Sequence, residues 1–211
     1  MKSNASFVDA NGDGFADGAR LTAGDGNGAI TSFNGNVGHW SDGFGPLAGM
    51  NYYVAVNSFR TPDNTPADAV ITFPGNRLVI AGPDGKINFK SATAHTVAFN
   101  QLVLEGGNLN QAGGNAVITV AGSVLIHSAS TYTGSNGPMT LSGPISGSGG
   151  LTSSGGTLSF AGNSTWTGNL TANGPFTLAD TGSMAPWRTM RTASRRSRRA
   201  SLWWKISKAR G

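Results

Sequence analysis

The chain has no cysteine, so a disulfide framework and a thiolate metal site are both excluded. Charge is scarce as well, at 12% of 211 residues. No Lys or Arg occurs between Lys90 and Arg188, and from residue 85 to 183 the only acids are Glu105 and Asp180. A catalytic carboxylate pair needs both members close together, and these two are far apart in sequence. His39, His95 and His127 fit no metal-ligand spacing. There is no G-x-S-x-G elbow and no phosphate-binding loop. Residues 60–180 show no sustained 3.6-residue period, which argues against long helices there. No apolar run is long enough for a transmembrane helix. The start, Met1 to Asp9, holds no apolar core of a signal peptide. If the protein is exported, a fragment or a lost start is expected.

Glycine, by contrast, is abundant, at 32 residues. Val, Ile, Leu, Phe and Trp come in short clusters separated by Gly, Asn, Ser and Pro, a pattern of many short strands and tight turns. Predicted strands are Ala69–Phe73, Arg77–Ile80, Lys86–Phe89, Thr96–Phe99, Gln101–Leu104, Ala116–Val120, Ser123–Ile126, Pro138–Leu141, Thr157–Phe160, Asn169–Thr171 and Phe176–Leu178. Large apolar residues alternate within several of them, as in Leu158-Ser159-Phe160, so one face is buried and the other wetted. A β-sandwich and a parallel β-helix both fit, and strands this short favour the helix. Asn100, Asn108, Asn110, Asn115 and Asn163 are candidates to stack at its bends.

Four zones follow. Residues 1–30 are rich in Asp, Asn and Gly; residues 31–65 read as an entry or capping region. Residues 66–182 are the strand-and-turn body, and residues 183–211 are a basic tail. At about 20 or more residues per coil, the body makes about five coils. The tail from residue 184 carries nine Lys or Arg and no acid, whereas residues 1–183 carry six Lys or Arg and all ten acids. The high net charge therefore says nothing about the body's partners.

The most ordered stretch is Gly147–Gly168, GSGGLTSSGGTLSFAGNSTWTG. Gly147, Gly149, Leu151, Gly155, Thr157, Leu158, Phe160, Gly162, Asn163, Trp166 and Gly168 stand in the places of a known pattern. The segment resembles the autotransporter-associated β-strand repeat of exported bacterial β-helix proteins, with Trp166 where tyrosine is usual. The resemblance covers about 22 residues. It favours the all-β parallel β-helix, which the bias of parallel crossovers makes right-handed; composition adds an irregular N-terminal region and a tail expected to be disordered or a marginal helix. The resemblance also implies an extracellular or cell-surface location, a link to an export module, and a non-enzymatic stalk or adhesin-like role. Glycans or host-surface molecules are the partners expected of such a protein, and a carbohydrate-active β-helix is the alternative.

Three sites are candidates. Asp9, Asn11, Asp13, Phe15 and Asp17 fit D-x-N-x-D-G-x-x-D, in which alternate oxygens surround Ca2+. Arg20 replaces the bidentate Glu of an EF-hand, so any such calcium would be structural; the same residues also favour a plain turn. Trp40 and Trp166 are candidate glycan contacts, with packing as the competing role. Arg195, Arg196, Arg198 and Arg199 could contact polyanions, and with Trp203 and Trp204 an anionic membrane surface. A shift of reading frame near Met184 accounts for the same tail, because the break in composition is abrupt. Thr131-Tyr132-Thr133 and Thr165-Trp166-Thr167 have the Thr-x-Thr form of ice-binding solenoids, but two copies at unrelated spacing do not predict a ladder.

Overall fold

The computed structural model describes residues 18–178 except Asn136. These form an all-β solenoid of about six turns, with parallel strands stacked coil on coil. The only helical element among them is a single 3₁₀ turn at Val37–His39. Each coil has three faces. The first face stacks β4 (Val70–Thr72), the front half of β7 (His95–Glu105), the front half of β9 (Ile118–Ser128), β11 (Met139–Leu141), β14 (Leu158–Phe160) and β16 (Phe176–Leu178). The second stacks β1 (Ala19–Arg20), β2 (Asn51–Val54), β5 (Arg77–Ala81), the rear halves of β7 and β9, and β12 (Ile145–Ser146). The third stacks β3 (Ser58–Arg60), β6 (Lys86–Phe89), β8 (Asn108–Gln111), β10 (Ser130–Gly134), β13 (Leu151–Gly155) and β15 (Leu170–Ala172).

β6 and β16 lie where the apolar pattern puts them, and most other predicted strands differ only at their ends. Two pairs differ more. Thr96–Phe99 and Gln101–Leu104 are one strand, β7, which runs through a corner, and β9 does the same. The first and second faces therefore join in one ten-stranded sheet, and the third is a separate six-stranded sheet. The ladder also starts upstream of residue 66, because β2 and β3 already pair with β5 and β6.

The coils shrink along the chain. On the first face Ile71 lies opposite Val97, then Val120, Leu141, Phe160 and Leu178, in steps of 26, 23, 21, 19 and 18 residues. Inward aromatics become fewer along the way. The wide early coils are filled by Phe59, Phe73, Phe89 and Phe99, and the narrow later ones mostly by Ile118, Val120, Met139, Leu141 and Leu158. Phe33 packs on Phe59, Phe73 and Phe99 with ring centroids 5.7–6.2 Å apart, and Trp40 meets Tyr52 edge-on at 4.7 Å. These two residues, 1% and 2% exposed, close the N-terminal end of the core.

Corners are built from two kinds of column. Between the first and second faces, Asn76 donates its side-chain amide to Asn51, and Asn100 donates to Asn76. Of the asparagines expected at bends, Asn100 is thus in a corner ladder, whereas Asn108 and Asn110 point outward from β8. The column then changes to glycine. A Cβ on Gly122 would lie 1.7 Å from the Phe99 carbonyl oxygen, one on Gly143 1.8 Å from that of Gly122, and one on Gly162 1.9 Å from that of Gly143. β7 bulges here, with Phe99 and Asn100 opposite Gly122 alone.

Polar groups inside the rod are bonded in part, with Gln111 Oε1 and Ser153 Oγ left without a partner among the described residues. The Tyr132 hydroxyl, on β10, donates to the Gly137 carbonyl at 3.2 Å, and burial pushes its pKa up to about 12. Gln111 donates to the Gly114 and Ala116 carbonyls at 3.1 Å each.

Gly122 has φ +95°, so alanine there meets both a clash and backbone strain. Gly122→Ala is expected to cost about 3 kcal/mol or more of stability, read from a urea melt. Gly26→Ala, at a position with open space around it, is the matched control and should change stability little.

Candidate functional site

The densest polar cluster joins the N-terminal segment to the first complete coil. The Asp25 side chain is only 1% exposed. Its Oδ1 accepts from the Ser32 amide at 2.9 Å, the Ser32 hydroxyl at 2.6 Å and His39 Nδ1 at 3.1 Å; its Oδ2 accepts from the Arg60 amide at 3.0 Å. Beside it, Arg60 donates to Asn27 and Asp63, and Asp63 also accepts from the Gly28 amide at 2.7 Å.

Serine, histidine and aspartate thus meet, but not in the order that activates a nucleophile. A triad places the imidazole between the two oxygens, one on each ring nitrogen. Here Nδ1 faces both Ser32, at 3.3 Å, and Asp25. The serine hydroxyl already bonds the carboxylate, and Ser32 is fully buried. The arrangement clamps the cap: it fixes residues 25–39 so that Phe33 and Trp40 reach the core. Sequence reading missed this cluster, and its one local signal is the turn-forming Asp25-Gly26-Asn27-Gly28.

Burial alone would raise the Asp63 carboxyl. The hydrogen bonds from Arg60 and the Gly28 amide, with the charges of Arg60 and Lys90, outweigh that and hold it below the ordinary aspartate value.

The glycan-contact reading of Trp40 and Trp166 is corrected. Trp40 is 2% exposed and donates its indole N–H to the Ser32 carbonyl at 3.0 Å. Trp166 is 7% exposed, stacks on Phe160 at 6.0 Å and donates to the Gly149 carbonyl at 2.7 Å. Neither indole has a face left for a sugar ring, because each fills an end of the core. The calcium-loop residues Asp9, Asn11, Asp13, Phe15 and Asp17 lie outside the described residues, as do Arg195, Arg196, Arg198 and Arg199. Among the described residues no three or more His, Asp or Glu side chains gather as a metal site. His127 is an outward residue of β9, with Nδ1 2.9 Å from Glu105 on the neighbouring coil. No helix of the described residues is long and apolar enough to cross a membrane.

Asp63 has a depressed folded-state pKa, so its contribution to stability is present in full above the unfolded aspartate value of about 4. It is lost as pH falls through the lower folded value. Asp63→Asn should therefore lower the melting temperature at neutral pH, and the gap to the unsubstituted chain should close as the pH falls below about 4. Melts recorded across that range check this.

No family model, curated protein or solved structure matches the chain.

Proposed function

We propose that this chain is a segment of a non-enzymatic, exported bacterial β-helix passenger, a stalk or adhesin-like scaffold displayed at the cell surface. One observation carries the reading: the repeat-like stretch Gly147–Gly168 coincides with one coil. Leu151, Leu158 and Phe160 point inward from β13 and β14. Gly149, Gly155, Gly162 and Gly168 are corner positions where a Cβ would meet the backbone of the preceding coil at 1.8–2.6 Å. Trp166 seals the interior beside them. The resemblance therefore rests on positions with a structural reason, and not on glycine content.

Such a coil supports export physically. It cannot bury its inner face alone and gains stability only by stacking on a neighbour. A chain emerging through a membrane can fold coil by coil, and the absence of cysteine leaves no disulfide to obstruct passage.

Fusing the full chain to an outer-membrane export module tests the reading. The expected result is surface display of a protease-resistant core that includes residues 51–178. Retention inside the cell, by a fusion whose module still exports a control passenger, overturns it. The proposal extends to one structural calcium held by Asp9, Asn11, Asp13, the Phe15 carbonyl and Asp17. Titration with calcium should then raise the melting temperature, and Asp13→Ala should abolish the rise.

A further inference from the structure

The outward side of the first face carries a file of hydroxyls that no role described above uses. Thr96 lies opposite Thr119, Thr119 opposite Thr140, Thr140 opposite Ser159, and Ser159 opposite Thr177. The bulge in β7 falls after Ala98, so this register is unbroken over five coils. At about 4.8 Å per parallel pairing, the file is about 19 Å long. All five side chains are half-buried or exposed. Among the described residues none offers their hydroxyls a hydrogen bond. Two residues further along each strand, about 6.7 Å away, runs a second file of small side chains: Ala98 opposite Ala121, then Ser142 and Ala161.

The face therefore pairs a file of hydroxyls that have no partner among the described residues with a file of small side chains, in which the Ser142 hydroxyl donates to the Val120 carbonyl at 3.1 Å. Its composition restricts what it can hold. No Lys, Arg, Asp or Glu occurs between Glu105 and Asp180, so a charged polymer finds no counter-charge on most of the file. A crystalline polysaccharide would be gripped through exposed rings, and no outward position of this face holds one. The outward residues from Val117 to Pro175 are Val117, Thr119, Ala121, Pro138, Thr140, Ser142, Thr157, Ser159, Ala161 and Pro175. A threonine hydroxyl both donates and accepts, and its methyl group disfavours disordered water beside it. A rigid array loses little conformational entropy on binding, and its weak contacts act together.

We propose that this face binds ice, its ligand being the uncharged lattice of water at a growing crystal surface. The third face differs in kind. Its hydroxyls are partly consumed internally, as Asn108 donates to both Thr131 and Thr133.

The test uses the full chain in dilute buffer, frozen slowly around a cooled probe. Enrichment in the ice fraction and the shape of single ice crystals are measured against an inert protein of similar size. The unsubstituted chain should be enriched and should facet the crystals. Thr119→Tyr with Thr140→Tyr should lose both effects, because the rings hold the face off the lattice. Thr131→Tyr with Thr152→Tyr, on the third face, should keep them. Thr140→Val alone, which preserves shape and removes one hydroxyl, should weaken them, so the result does not depend on the bulkier variant folding. Exclusion of the unsubstituted chain from ice overturns the proposal. So does full activity in a folded Thr119→Tyr/Thr140→Tyr protein, and so does capture on insoluble cellulose or chitin with no effect on ice.

Discussion

Everything in this structure depends on how closely one coil can rest on the next. Parallel strands pair only when their backbones come within hydrogen-bonding distance. At a corner the chain must hold that distance while it turns. Gly122, Gly143 and Gly162 meet this requirement in succession, each against the carbonyl of the coil before it. Gly149 and Gly168 do the same at the next corner. Upstream, where coils are longer and the corner is roomier, Asn76 and Asn100 occupy the column, Asn100 donating to Asn76 and Asn76 to the neighbouring Asn51. The change from asparagine to glycine follows the shortening of the coil.

The core follows the same constraint. A coil of 26 residues encloses more space than one of 18, and the cluster of Phe59, Phe73, Phe89 and Phe99 fills the wide coils, while later ones hold mostly Leu, Ile, Val and Met until Phe160 and Trp166 at the far end. Close packing leaves little room for mismatch between the two. The wide end would expose its rings, and there the chain spends residues 25–40 on a lid. The buried carboxylate of Asp25 holds that lid through four hydrogen bonds. The polar cluster that most resembles catalytic machinery is thereby a fastening for the hydrophobic end, which explains why its serine and aspartate meet the same histidine ring nitrogen.

Much of the fold is legible in the sequence, since inward positions follow period two and corners are marked by glycine. Lys86–Phe89 and Phe176–Leu178 are read to the residue for this reason. β8 and β10 are missed because Asn108-Leu109-Asn110 and Thr131-Tyr132-Thr133 present a single inward side chain between polar neighbours, which reads as loop. β2 and β3 are missed because their flanks are rich in Gly and Pro. The clamp around Asp25 needs Ser32, His39 and Arg60 from three separate segments, and no local pattern joins them. The threonine file is invisible for another reason: its members are 23, 21, 19 and 18 residues apart, so no fixed period betrays it. The local Thr-x-Thr pairs, which are visible, point elsewhere: Thr131-Tyr132-Thr133 is on the third face and Thr165-Trp166-Thr167 lies outside the named strands.

The central claim is that each coil is a unit whose length is set by register. It is tested most directly by removing one. Met139 lies opposite Leu158, so deleting residues 139–157 joins Pro138 to Leu158 and lets β14 take the place of β11 on β9. The account predicts that this shortened chain still unfolds in a single cooperative transition with a β-sheet circular dichroism spectrum. Deleting only residues 139–148 removes half a coil, puts β13 of the third face where β11 should pair with β9 and leaves β14 at a corner, and should abolish that transition. Cooperative unfolding of the half-coil deletion, with loss of structure in the full-coil deletion, would contradict the account.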